Sequence, residues 1–114
     1  MTILYGIPNC DTVRKARKWL VAHNIDYHFH DFRKEGLPAN RLRKWVAAVG
    51  WEALLNRRGL GWRKIPETEK AGINQGAAIK LMLADPTLIK RPVLEHASQF
   101  QVGFSEAAYQ QLFN

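Results

Sequence analysis

Apolar and polar positions along this chain change period several times, and each change marks an element. "TILYGI", residues 2–7, is a short apolar run without helical spacing, which predicts a buried strand. "PNC" then breaks it. From Asp11 to His23 the period becomes helical, with Val13, Ala16 and Leu20 on one face, Arg14, Lys15, Arg17 and Lys18 on the others, and Asn24 as the stop. "DYHFHDF", Asp26 to Phe32, alternates Tyr27, Phe29 and Asp31 against His28, His30 and Phe32, the pattern of a second strand. Strand, helix and strand in this order make a βαβ unit with a right-handed crossover and a parallel pair.

The middle of the chain is helical. Pro38 suits a first helical position, and Leu42, Trp45, Val46 and Val49 form a stripe that ends at Gly50. "WEALLNR" predicts a second short helix, while "RGLGWRK" reads as a loop because of its glycines. "PETEKAG" predicts a turn of helix, and Asn74 caps "QGAAIKLMLAD", which stops at Asp85-Pro86. "RPVLEHAS" and "FQVGF" read as a hairpin. Ser105 then caps "EAAYQQLF", with Ala107, Ala108, Leu112 and Phe113 expected inward. The order βαβ, helices, ββα predicts an α/β fold with a mixed sheet: a thioredoxin-like arrangement with an all-helical insertion at about residues 37–85. Residues 1–114 are expected to form one domain, without repeats.

Composition narrows the class. Apolar residues make up 46% and charged residues 24% of 114, ordinary for a soluble domain with a modest core. No apolar run approaches the ~20 residues of a membrane span, and no secretory pattern opens the chain. A single cysteine cannot form an internal disulfide, so a reducing cytoplasm is the expected compartment. The net charge of +7 points to acidic partners, either nucleic acid or small anions. The basic residues come in small separate groups, however, so a solvated basic surface is expected and nucleic acid is not. A monomer is the default for such a short basic chain.

The candidate chemistry lies at Cys10. A thiol attacks as thiolate, and an unperturbed cysteine, with a pKa of ~8.5, is mostly protonated at neutral pH. Cys10 stands where a strand ends and a helix begins, so free N–H groups and the positive end of the helix should face its sulfur. Arg14, one helical turn on, is expected near the same end as a thiolate stabiliser. Pro8 and Asn9 offer a rigid turn that holds the thiol at the tip, whereas Asp11 opposes the effect unless it caps the helix. Pro, Asn, Asp and Thr are poor core sequence, which favours a reactive thiol over a buried hydrophobe. A dithiol site would need a second cysteine at residue 13, where Val13 stands. With no resolving cysteine, an intermediate on Cys10 must be cleared by an external thiol, and glutathione is the obvious small one.

Other residues carry weaker signals. His28 and His30 alternate on one strand without a third ligand, so no metal is expected. His96 is read as an ordinary strand histidine as readily as a cleft residue. Trp62 and Arg63 form either a flap over the ligand or a core anchor, and Trp19, Trp45 and Trp51 are expected to be packing.

The stretches "YGIPNCDTVRKA", "DFRKEGL" and "LIKRPVLE" together resemble the arsenate reductase (ArsC)/Spx family of thioredoxin-like proteins, through nearly all of the chain. "LLNRRGLGWRKI" and the short C-terminus are closest to its YffB branch. The resemblance implies that Cys10 is the catalytic cysteine, with Thr12 and Arg14 in the matching "CxTxR" pattern. It also implies that Arg91 binds an oxyanion or thiol adduct beside it, and that Pro92 is the cis-proline whose preceding residue presents its backbone to the ligand. Arsenate reductases use three arginines around the cysteine. Here Asn56 stands where the first belongs, with Arg57 or Arg58 only nearby, and Gly103 stands at the third. Gly6 replaces a histidine before the cysteine loop. A small tetrahedral dianion needs convergent positive charge, so these replacements count against arsenate. The expectation is therefore a glutathione-dependent monothiol reductase with no bound cofactor and glutathione as co-substrate. Cys10 and Arg91 are its catalytic residues, and Asn9, Thr12, Arg14, Arg58, Arg63 and Pro92 bind glutathione or an oxidised small-molecule or protein thiol substrate. Arsenate reduction and a non-enzymatic, Spx-like adaptor role on RNA polymerase are the rival expectations.

Overall fold

In the computed structural model, which describes residues 1–114, the first apolar run forms strand β1, Thr2–Gly6. The turn after it leads into helix α1, Asp11–Ala22, and the chain returns as β2, His28–Asp31, parallel to β1 with Gly6 opposite Asp31. The second strand is shorter than its alternation suggests, because Phe32 leaves it to open a single helical turn, α2, Phe32–Glu35. The reason is local: the Asp31 carboxylate accepts from the Arg33 N–H at 2.8 Å, which caps the turn and ends the extended run. Phe32 is buried there.

The chain divides into two compact units, Met1–Gly36 with Arg91–Asn114, and Leu37–Lys90. In the first, the hairpin β3, Val93–His96, and β4, Gln99–Val102, completes a four-stranded mixed sheet in the order β2-β1-β3-β4. β3 runs antiparallel to β1, with Thr2 opposite His96 and Tyr5 opposite Val93. This register brings the start of β3 beside the end of β1, where the Cys10 turn departs. The last helix of the chain, Glu106–Leu112, is capped by Ser105 Oγ, which accepts from Ala108 N at 3.1 Å. Leu4 and Leu94 from the sheet, Ala16, Trp19 and Leu20 from α1, and Tyr109 from the C-terminal helix make the core cluster. Of the residues expected inward on that helix, Ala108, Leu112 and Phe113 are half-buried but Ala107 is exposed, and Tyr109 is fully buried in its stead. Residues two apart on a helix point to opposite sides, so one of this pair faces inward, and the larger ring takes that place.

The second unit contains α3, Ala39–Val49, and α4, Trp51–Leu54. It continues with α5, Leu60–Arg63, α6, Glu67–Lys70, and α7, Gln75–Ala84, then a 3-10 turn over Pro86–Leu88. The C-terminal helix is thus α8. Pro38 is the cap of α3 rather than its first residue. Asn74 caps α7 as its sequence suggests, its Oδ1 accepting from Ala77 N at 3.0 Å. The glycine-rich stretch read as a loop instead winds into α5. Gly61 serves packing there, since a Cβ at that position would lie 3.1 Å from Leu88 Cδ2 and 3.3 Å from Asp85 Oδ2. A bridge between Leu55 and Ile89 is flanked by Asn56 N to Leu88 O and Lys90 N to Leu54 O, each 2.7 Å.

The result is a mixed α/β, thioredoxin-like fold, with βαβ and ββα halves separated in sequence by helices. No helix is long and apolar enough to cross a membrane.

Candidate functional site

The site begins where α1 meets the end of β1. A Cβ on Gly6 would fall 2.9 Å from Val13 Cγ2, so only glycine lets the first turn of α1 approach the strand this closely. No room is left for a histidine at this position. Ile7 is buried, Pro8 and Asn9 form the exposed tip of the turn, and Cys10 is half-buried. Cys10 is the N-cap of α1, with extended backbone (φ −109°, ψ 128°), and its carbonyl accepts from Arg14 N at 2.9 Å. Its side chain thus stands where Ser or Asp usually caps a helix, before the unpaired first-turn N–H groups. As a neutral thiol the sulfur makes no full cap bond; as a thiolate it becomes the acceptor those groups lack.

Partial burial pushes the Cys10 thiol up, but more groups pull it down. These are the Val13 backbone N–H, the Arg91 side chain as hydrogen-bond donor, the Thr12 backbone N–H and the positive charge of Arg91, and together they leave the thiol below the ordinary cysteine value. Arg91 is half-buried and precedes Pro92 across a cis peptide bond at the entry to β3. The Pro92 carbonyl accepts from the Gly103 N–H at 2.8 Å. Gly103 has φ +77°, a conformation a side chain strains, so the third arginine of the arsenate enzymes is not readily placed here.

Among the residues singled out from the sequence, the first unit brings together Cys10, Thr12 and Arg91, with Pro92 beside Arg91. Arg14 departs from its expected role: its guanidinium binds the Asp11 carboxylate, and the arginine acting on the sulfur is Arg91. Asp11, expected to oppose the effect unless it capped the helix, does not cap it, since Cys10 holds that position, and is paired with Arg14 instead. Asn9 lies at the exposed tip.

Arg58 and Arg63 belong to the second unit and are exposed. Asn56 Oδ1 accepts there from Arg58 N at 3.0 Å, so Asn56 shapes its own loop. Trp62 is half-buried, with the Lys70 ammonium 5.0 Å and the Arg57 guanidinium 5.8 Å from its ring centre. His96 pairs with Thr2 at 2.8 Å, at the opposite end of β1 from the Cys10 turn. His28 and His30 each lie 3.9 Å from Glu35 Oε1, and His30 Nε2 donates to the Gly36 carbonyl at 2.6 Å. The Gly103 support of Pro92 had no sequence signal beyond the glycine itself.

Comparison with known proteins gives a consistent picture. The model of the ArsC family matches residues 5–112. The solved structure of a YffB protein is 46% identical and superposes with a TM-score of 0.96 over 100% of both chains. An uncharacterized protein of Haemophilus influenzae is 42% identical over 99% of each chain. The global transcriptional regulator Spx of Lactiplantibacillus plantarum is 27% identical over 93% of this chain and 81% of its own.

Proposed function

We propose that this chain, which belongs to the ArsC family, is a glutathione-dependent thiol reductase with Cys10 as its one nucleophile. The observation that carries this is the pairing of a lowered thiol with Arg91 in a chain holding no second cysteine. Cys10 thiolate attacks the glutathionyl sulfur of a mixed disulfide, forming a Cys10–glutathione disulfide. The substrate thiolate leaves and takes a proton from water. A second glutathione, as thiolate, attacks its own kind in that adduct, releasing glutathione disulfide and returning the Cys10 thiolate. The substrate disulfide gains two electrons, and the two glutathiones lose them in forming their disulfide.

Arg91 and the first-turn N–H groups hold negative charge at the sulfur before attack and again as the adduct is resolved. The same guanidinium suits a glutathione carboxylate, which it can bind bidentately. The backbone ahead of Pro92 orients the tripeptide, and Asn9 and Thr12 shape the turn around the thiol. Arg14 contributes by neutralising Asp11 near the thiol.

Arsenate fits less well. Gly103, with its positive φ, and Gly6, packed on Val13, stand where those enzymes carry cationic or polar side chains, leaving the charge at the thiol to Arg91.

The test is turnover of a small glutathione mixed disulfide by the purified protein, with arsenate assayed alongside. Turnover that Cys10→Ser abolishes, with arsenate slow or inert, is the expected result. Turnover retained by Cys10→Ser would overturn the proposal, and no turnover of either substrate would favour a protein-binding role of the Spx kind.

A further inference from the structure

The charge of this chain is unevenly placed. The first unit holds seven lysines and arginines against six acids, and the second holds ten against four, so six of the net +7 belong to the second unit. Within the insertion the surplus is confined to residues 37–66, which carry seven basic residues and one acid, Glu52. Arg43, Lys44, Arg58, Arg63 and Lys64 there are exposed and form no ion pair. A solvated surface of mixed sign would have its acids interspersed, so this segregation is a property of the second unit rather than of overall composition.

The stretch from Arg57 to Lys64 gathers the densest part. The Arg57 guanidinium lies 5.6 Å from the Trp51 ring centre and 5.8 Å from that of Trp62. α5 carries Arg63, with Lys64 at its end, on the same short turn as Trp62. Cations backed by aromatic faces lose less freedom on binding than free side chains do.

We propose that this turn of the insertion docks an acidic polypeptide segment. Exposed arginine forks match carboxylates bidentately, and a positive field raises the capture rate of acidic partners in a salt-dependent way. Trp51 and Trp62 are half-buried and back the chain's own cations, which makes them poor platforms for bases and favours a polypeptide over single-stranded nucleic acid.

The experiment reads the fluorescence anisotropy of two labelled peptides of equal length on the purified protein, one rich in Asp and Glu, the other in Ser and Asn. The acidic peptide is expected to bind about 10-fold more tightly at low salt, and the ratio falls toward one as salt approaches about 1 M. Arg63→Glu with Lys64→Glu abolishes the preference. Lys15→Glu with Lys18→Glu, the same charge change in the first unit, keeps it. Equal binding of the two peptides by the wild type, or equal loss in both variants, would overturn the proposal.

Absence of binding, or displacement of the acidic peptide by a tighter-binding single-stranded oligonucleotide, would overturn it as well.

Discussion

Arg91 and Arg14 illustrate how far local sequence reaches. Cys10 could be singled out from its neighbours alone, because a thiol between Asn and Asp at a strand-to-helix switch has little core to join. Which arginine serves it could not. Arg14 is four residues away in sequence, but Asp11 is nearer still and takes its guanidinium. Arg91 reaches the sulfur only because β3 runs antiparallel beside β1. Arg91→Ala should therefore raise the midpoint of Cys10 alkylation against pH, whereas Arg14→Ala should move it little. Since the folded thiol lies below its ordinary value, alkylation in the wild type should hold its rate to lower pH than that of a free cysteine, and fall off as pH drops through that lowered midpoint. A charge-assisted hydrogen bond contributes about 1.5–3 kcal/mol, so Arg91→Ala should lower kcat/KM about 10- to 100-fold, with Lys restoring part. Tyr109 offers a different check. Its hydroxyl is buried without a hydrogen-bond partner, and burial pushes its ionisation well up. Tyr109→Phe should keep the edge-on packing against Trp19 and Phe104 and raise stability by about 1 kcal/mol, read from urea denaturation. A loss of stability would show that the hydroxyl is satisfied.

Two helices announce themselves through a capping side chain. Asn74 and Ser105 each precede an apolar run and each accepts an N–H three residues on, so α7 and α8 were legible to within a residue. Asn74→Ala should cost about 1 kcal/mol in chemical denaturation, and no change would mean that packing of α7 overrides its cap. Of the elements that misled, one was decided by contacts distant in sequence and the other by a local cap. α5 was hidden by glycines, of which Gly61 is small to fit against Leu88 and Asp85 rather than to loosen the chain. β2 ended early because Asp31 turns back to cap α2. Alternation in sequence shows that a strand exists, but the side chain that ends it is seen only when the N–H it accepts from is placed.

Topology explains why most of the fold was legible and part of the site was not. The βαβ and ββα halves each follow from period and turn chemistry over short distances. The thiol and Arg91 come from opposite halves, separated by the insertion, and nothing local links them. Family membership supplied that link as a resemblance, yet a shared fold hosts different activities, and the lone cysteine is what distinguishes the chemistry here. The decisive measurement is the intact mass of the protein after brief exposure to a glutathione mixed disulfide without free glutathione. A single glutathionyl group on Cys10, absent in Cys10→Ser and released as glutathione disulfide when glutathione is added, is the expected result. An unmodified Cys10, or an adduct that glutathione cannot clear, would contradict a glutathione-resolved monothiol reductase.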